Sequence, residues 1–178
     1  MRVDAAGRVD AARQVASPNC DARPGGEAIS LLVIHNISLP PGEFGGDGIE
    51  RLFTNTLEAA AHPYYRSLAG VRVSAHFLIR REGELLQFVP CAERAWHAGD
   101  SAWRGRSRCN DFSIGVELEG ADDVPYTESQ YRLLAELTRA LRAAYPLADI
   151  AGHSDIAPSR KTDPGPAFDW PRFRGSID

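Results

Sequence analysis

The sequence predicts a single α/β domain, and three observations lead to that prediction. The chain has 178 residues, of which 43% are hydrophobic and 25% are charged, and this suits one globular domain with a substantial core. A continuous apolar run at residues 29–34 is typical of a strand that is buried on both faces of a sheet. Thr127 and Gln130 form a capping-box pattern at the start of a long amphipathic helix.

The strand at residues 29–34 is followed by two polar residues, His35 and Asn36. Polar residues at the end of a central strand are well placed for a functional site, because strand ends open onto clefts. His35 alone leaves two interpretations open, a site residue or a hydrogen-bonded core histidine. The second is the commoner fate of a lone histidine.

Residues 38–72 form a long connection before the next strand. Proline and glycine make its first part irregular, and Asp47 with Glu50 predicts a capping box at the start of a helix. A connection of this length is uncommon unless it lines or covers a binding site. Tyr64 suits stacking on a sugar or packing on the domain, and packing is the commoner outcome.

The segments 73–79 and 85–89 predict a hairpin of two strands around the turn at 80–84. A loop-like segment at 91–112 follows, with Trp96 near its start. An aromatic side chain near glycine in a loop suits ligand stacking, and an indole equally often covers the core.

The strand predicted at 113–118 places Glu117 on the face opposite Ile114 and Val116. Burial there would raise the pKa of Glu117 towards the range of a general base. On the solvent-facing side of a sheet it would be an ordinary surface carboxylate, and the sequence leaves both interpretations open.

The helix predicted from Thr127 ends at Pro146, and a short strand at 150–151 leads into the loop GHSDIAPSRKTDPG at 152–165. This loop is too polar and too rich in proline and glycine to be core. It contains His153, Asp163 and Lys161, which is the only lysine among 20 basic residues. An ammonium is a compact point charge that arginine does not replace, so Lys161 is a candidate functional residue; a lysine without a role is the alternative.

Composition limits which kinds of binding partner and which cellular location we expect for this protein. The formal net charge of −4 gives no reason to expect nucleic acid or an anionic membrane as partner, and no feature indicates a protein partner. Three cysteines without a CxxC pair predict neither a disulfide framework nor a Cys-zinc site. Residues 1–28 lack the apolar segment of a secretory signal, so we predict a poorly ordered tail on a cytoplasmic protein.

Two histidines and one carboxylate have the donor types of a catalytic zinc site, in which His35, His153 and Asp163 would bind the ion and water would take the fourth position. The spacing of these residues does not by itself select such a site. Glu117 is placed to take a proton from the attacking water, and Lys161 to stabilise a developing oxyanion. These are the parts needed for metal-assisted hydrolysis of an acyl compound.

Several segments carry a resemblance to a known family: VIHNIS at 33–38, SAHFLI at 74–79, RAWHAG at 94–99, FSIGVELEG at 112–120 and GHSDIAPSRKTDPGPAFDW at 152–170. In these segments the chain resembles the zinc-dependent N-acetylmuramoyl-L-alanine amidases of the type-2 amidase superfamily, which also contains the peptidoglycan-recognition proteins. LFTNTL and HPYYRSL in the long connection resemble the cytoplasmic members that act on 1,6-anhydro-N-acetylmuramyl peptides during cell-wall recycling.

The resemblance implies a mixed β-sheet flanked by helices in an amidase domain at 29–178. It implies one zinc ion per chain on His35, His153 and Asp163, with Glu117 as general base and Lys161 stabilising the tetrahedral intermediate. The implied substrate is a small muropeptide, cut between the lactyl group of (anhydro)muramic acid and L-Ala. The residues implied in the substrate cleft are Asn36, Tyr64, Arg72, Trp96, Arg108 and Asp111.

Two alternatives stay open beside this interpretation. The same fold serves as a peptidoglycan-binding module without hydrolytic activity, typically where a zinc ligand is missing, whereas all three ligand types are present here. An exported amidase acting on the intact cell wall is the second alternative, and the missing signal segment argues against it.

Overall fold

The computed structural model describes residues 1–177, whose strands pair into one large sheet and two small ones. In chain order the strands are β1 (Arg13–Gln14), β2 (Cys20–Ala22), β3 (Leu31–Ile37), β4 (Phe77–Ile79), β5 (Leu85–Gln87), β6 (Glu93–Ala95), β7 (Ala102–Trp103), β8 (Arg106–Ser107), β9 (Ser113–Glu119) and β10 (Asp149–Gly152). The helices are α1 (Gly48–Phe53), α2 (Glu128–Ala144), α3 (His153–Ile156) and α4 (Trp170–Ile177), with short 3₁₀ segments at Pro63–Leu68 and Cys109–Asp111.

The large sheet has the order β1-β5-β4-β9-β3-β10 and is mixed. The four strands β10, β3, β9 and β4 run parallel to one another, β5 is antiparallel to β4, and β1 runs parallel to β5. Every residue of β9 and the first five of β3 are buried, as expected for parallel strands that are covered on both faces. The predicted α/β domain with a mixed sheet flanked by helices is confirmed.

Helices cover both faces of this sheet. On one face Leu134 of α2 and Phe173 of α4 belong to the same hydrophobic core cluster as Ile34 of the central strand. On the opposite face Phe53 of α1 belongs to a second cluster with Leu78. The predicted capping box of α2 is present, since the Thr127 and Gln130 side chains each accept a hydrogen bond from the other residue's backbone N–H. Within residues 1–177, no helix combines the length and hydrophobicity that a bilayer crossing requires.

The structure corrects the expectation that residues 1–28 form a poorly ordered tail. β1 lies at the edge of the large sheet, β2 pairs with β6, and Val9 is buried in the main core. The Gln87 side chain accepts from the N–H of Val9 and donates to the carbonyl of Gly7. Strands of two or three residues are too short for a hydrophobic period to be visible in the sequence, so the sequence does not predict the ordered structure of this segment.

The helix predicted from Asp47 is α1 (Gly48–Phe53), and its start is not capped in the predicted way. The Asp47 carboxylate makes no capping hydrogen bond and pairs with Arg51 at 2.7 Å. Glu50, which was predicted to complete the capping box, binds the guanidinium groups of Arg13 and Arg80, each at 2.8 Å. Two charge-assisted hydrogen bonds to distant arginines are stronger than one neutral bond to a nearby N–H, so tertiary structure overrides the local pattern.

The predicted hairpin is confirmed, with β4 beginning only at Phe77 and pairing antiparallel with β5. His76, just before β4, is fully buried.

Arg80 and Glu119 form a buried ion pair at the end of β9. The Glu119 carboxylate is 1% exposed and accepts from Nη1 of Arg80 at 3.0 Å and from the N–H groups of Gly45 and Arg81. We expect Glu119→Ala to lower the free energy of unfolding by about 3 kcal/mol, because it removes the buried carboxylate that pairs with Nη1 of Arg80, while Glu50 still pairs with Nη2. The matched control is Glu84→Ala, which removes a half-exposed partner of the same arginine and should cost less than about 1 kcal/mol. Equal losses in urea denaturation would contradict this account.

Candidate metal centre and active-site cleft

Three neighbouring parallel strands place His153, His35 and Glu117 in one row. In the pairing of β3 with β9, His35 lies directly opposite Glu117. In the pairing of β10 with β3, Gly152 lies opposite Ile34, so the next residue, His153, comes beside His35. Because these strands are parallel, residues that are far apart in the sequence meet near the same edge of the sheet.

His35, His153 and Asp163 each present one ligand atom to a common point. The Nδ1 atoms of the two histidines are 2.9 Å apart, and each lies 3.1 Å from Oδ2 of Asp163. Both histidines are buried, and the Asp163 side chain is 13% exposed. The structure therefore brings together the three residues that the sequence nominated as metal ligands.

The protonation of these groups fits a cation. Nε2 of His153 lies 3.1 Å from the carbonyl oxygen of Ala98, which only accepts, so Nε2 carries a proton, and in the neutral form of the ring Nδ1 offers a lone pair. Burial lowers the pKa of His35 to about 4, so the His35 ring is neutral near pH 7 and has a single proton. Two imidazole nitrogens and a carboxylate oxygen are a donor set that suits zinc and leaves a fourth position open.

Glu117 supplies a buried carboxyl group in the same row. It is 9% exposed, and within residues 1–177 its Oε2 atom has no hydrogen-bond partner. Burial and, to a smaller extent, the charge of Asp163 raise the pKa of Glu117 well above its ordinary value, while Lys161 lowers it. The solvent-facing interpretation of Glu117 is wrong. A buried carboxyl group with a raised pKa and an unpaired oxygen is suited to proton exchange.

The loop that carries Asp163 is held by hydrogen bonds to its own backbone. The N–H of Ser154 donates to the Asp163 carbonyl at 2.9 Å, and the Tyr126 hydroxyl donates to the Pro164 carbonyl at 2.7 Å. Asp155 closes the turn by accepting from the N–H of Gly152 at 2.7 Å. The bonds from Ser154 and Tyr126 keep the Asp163 carboxylate opposite the two histidines.

The metal-ligand cluster opens onto a cleft of about 290 Å³. Among the residues that line it are Asn36, Tyr64, Trp96, Glu117, His153, Lys161 and Asp163. A larger cavity, of about 460 Å³, lies within the connection at 39–65 and contains none of the ligand residues. The convergence of titratable groups, rather than size, locates the candidate site in the smaller cleft.

Three residues predicted for the substrate cleft do not line this cleft. Arg72 is exposed and donates to the carbonyl of its neighbour Val71. The exposed guanidinium of Arg108 pairs with Asp111 at 3.1 Å, and Asp111 also pairs with Arg94 at 2.5 Å. A role in substrate binding for Arg72, Arg108 and Asp111 stays a prediction.

His97 is the site residue that the sequence reasoning missed. It is 9% exposed and lies between His35 and Ser113, with Nδ1 3.0 Å from Nε2 of His35. The sequence signals for His97 are its place beside Trp96 in a loop-like segment and its presence in the RAWHAG segment at 94–99. A histidine in a loop carries no periodicity that would indicate burial against a strand.

A family model and a characterised relative both match this chain, and both are N-acetylmuramoyl-L-alanine amidases. The family model for N-acetylmuramoyl-L-alanine amidase matches residues 25–166. The 1,6-anhydro-N-acetylmuramyl-L-alanine amidase AmpD of Salmonella typhimurium (strain SL1344) is 62% identical over 168 residues, which cover 93% of this chain and 90% of that protein.

Solved structures agree with the sequence comparison. A crystal structure of a Se-Met AmpD derivative has a TM-score of 0.97 and 58% identity, covering 100% of both chains. The amidase AmiD from E. coli, in complex with the substrate anhydro-N-acetylmuramic acid-L-Ala-D-γ-Glu-L-Lys, has a TM-score of 0.60 and 31% identity, covering 98% of this chain and 65% of that one. The chain therefore belongs to the N-acetylmuramoyl-L-alanine amidase family, and within that family it is similar to the AmpD type.

Proposed function

We propose that this chain is a zinc-dependent amidase that cuts 1,6-anhydro-N-acetylmuramyl peptides between the lactyl carbonyl and the amine of L-Ala. The observation that carries the proposal is the convergence of three metal-binding atoms, a buried carboxyl group with an unpaired oxygen, and the Lys161 side chain at one cleft. A module that only binds peptidoglycan does not need a buried carboxyl group with a raised pKa, which costs stability. The similarity to AmpD and the anhydromuropeptide held by AmiD support this substrate class. The role that we propose for this activity is peptidoglycan recycling in the cytoplasm.

Each group has a distinct role in the proposed hydrolysis. Zinc held by His35, His153 and Asp163 would polarise the scissile carbonyl and make water in the cleft more acidic. Glu117 takes a proton from the attacking water through its unpaired Oε2 and passes it to the departing amine of L-Ala. Lys161 lies on the same cleft, and its ammonium is suited to the negative charge that develops on the carbonyl oxygen.

The muropeptide would lie along Asn36, Tyr64 and Trp96, which line the cleft. Aromatic faces suit contact with a sugar ring. Arg72 and Arg108 remain candidates for the carboxylates of the stem peptide, because a guanidinium binds a carboxylate through two parallel hydrogen bonds.

The test is a comparison of anhydromuramyl and ordinary muramyl L-Ala peptides as substrates, with metal content measured on the same purified protein. We expect about one zinc per chain, release of the peptide from the anhydro substrate, loss of release after chelation, and recovery when zinc is returned. Full activity in protein stripped of metal would refute the zinc dependence. Binding of the substrate without cleavage in the zinc-loaded protein would favour the binding module, and location outside the inner membrane on cell fractionation would favour an exported amidase.

A further inference from the structure

We infer that His97 and Ala98 position both histidine ligands of the proposed zinc site, by determining which ring nitrogen of each ligand carries the proton. This inference rests on the proposed function, because it concerns the same site. His97 would thus be a positioning residue that acts through His35, and it is not one of the three metal-ligand residues.

Ser113 determines the protonation of His97. The Ser113 hydroxyl lies 2.6 Å from the carbonyl oxygen of Cys109, which only accepts, so Ser113 donates its proton there. The Ser113 oxygen then serves as acceptor for Nε2 of His97, 3.2 Å away, and Nε2 carries the proton. In the neutral His97 ring, Nδ1 is left with a lone pair.

His97 in turn determines the protonation of His35. Nε2 of His35 lies 3.0 Å from the Nδ1 lone pair of His97, so Nε2 of His35 must donate and carries the proton of that ring. Nδ1 of His35 is then unprotonated and faces Oδ2 of Asp163. The hydrogen bonds from Cys109 to His35 therefore have one consistent direction, which ends in a lone pair aimed at the metal-ligand cluster.

The next residue in the chain does the same for the other ligand. The carbonyl of Ala98 accepts from Nε2 of His153 at 3.1 Å, so Nδ1 of His153 is also unprotonated. Asn110 holds this backbone in place, because its Oδ1 atom accepts from the N–H of His97 at 3.1 Å and from the N–H of Ala98 at 2.8 Å. Two adjacent residues thus hold both ligands in the tautomer that a metal ion needs.

The His97 ring packs against strand β9, at Gly115. A Cβ atom on Gly115 would lie 2.5 Å from Cγ of His97, so only glycine leaves space for the ring. Every second residue of a strand lies on the same face, so Ser113, Gly115 and Glu117 share one face of β9. The strand that carries the proposed general base therefore also contacts the His97 ring at Gly115 and orients it through the Ser113 hydroxyl.

The test compares two substitutions of His97. His97→Leu removes the acceptor and keeps a bulky side chain, and we expect zinc affinity, measured by competition with a chelator, to fall roughly 10- to 100-fold. His97→Asn is the matched control, because its side-chain oxygen can occupy the position of Nδ1, and its zinc affinity should stay within about threefold of the native value. We expect kcat to follow the same order while KM stays near the native value.

Ser113→Ala provides an independent test that involves a smaller change. Removal of the hydroxyl frees His97 to take the other tautomer, so ¹⁵N imidazole shifts of the metal-free protein should show mixed protonation at His35, where the native protein shows protonation at Nε2 alone. The inference is overturned if folded His97→Leu binds zinc as tightly as the native protein does, or if Ser113→Ala leaves the His35 tautomer unchanged. If His97→Leu does not fold, the His35 tautomer in Ser113→Ala is the deciding measurement. A native protein that binds no zinc overturns the proposed function as well.

Discussion

Asp163→Ala is expected to abolish zinc binding and to lower kcat/KM for the anhydromuramyl peptide by about 10³-fold or more. Asp163 is the only anion among the three ligands, so its removal leaves two neutral imidazoles for a divalent ion. Metal analysis of the purified variant and chromatographic detection of released peptide measure the two effects.

The matched control for this substitution is Asp155→Ala in the same loop. Asp155 accepts from the N–H of Gly152 and is not a member of the metal-ligand cluster. Its loss should cost about 1 kcal/mol of stability, the usual cost of removing a cap, and leave the zinc content unchanged. If Asp163→Ala kept its zinc, or if Asp155→Ala lost it equally, the assignment of Asp163 as a ligand would fail.

Glu117→Gln is expected to retain zinc and to lower kcat by about 10²- to 10⁴-fold, the range for loss of a general base. The amide keeps the shape of the carboxyl group and cannot exchange protons. Steady-state kinetics together with metal analysis separate this outcome from a loss of the metal. Native turnover in the variant would remove Glu117 from the mechanism.

The same substitution should stabilise the metal-free protein at neutral pH. Burial raises the pKa of Glu117 in the folded protein above its ordinary value of 4.5, so the unfolded chain loses this proton at a lower pH than the folded chain does. The native carboxyl group therefore does not lower the free energy of unfolding below about pH 4, where it is protonated in both the folded and the unfolded chain. The loss of stability grows as the pH rises towards the folded-state pKa.

Thermal unfolding at two pH values measures this effect. We expect the Tm of Glu117→Gln to exceed that of the native protein by on the order of 3 °C or more at pH 7, and the two to converge near pH 4. Glu119→Gln, two residues along the same strand, should lower Tm at pH 7, because it weakens the pair with Arg80. A Glu117→Gln variant that is less stable than the native protein at pH 7 would contradict the raised pKa.

The elements that the sequence predicted well are those with long, regular signals. The continuous apolar run before His35 and the strict alternation around Glu117 indicate β3 and β9, and the capping box at Thr127 indicates the start of α2. The alternation also placed Glu117 on the correct face, because the side-chain period of a strand is two. Whether that face was buried depended on His97 and the loop around it, which no local pattern describes.

The parts that escaped prediction depend on contacts between distant segments. Residues 1–28 pack through strands of two or three residues and through bonds such as those of Gln87, which leave no periodic trace in the sequence. The donor types of the metal cluster were visible in the sequence. Their convergence, which the resemblance implied and the spacing did not, depends on the parallel order of β10, β3 and β9.

The row formed by His153, His35 and Glu117 has a consequence for how this scaffold can be redesigned. The separation of ligand and base is set by the spacing of hydrogen-bonded strands, about 4.8 Å, and therefore by the most rigid part of the molecule. The connection at 38–72 contributes cleft walls such as Tyr64 and no member of the row. On the proposed function, we expect that grafting a different connection would change part of the cleft wall around the peptide without displacing this row.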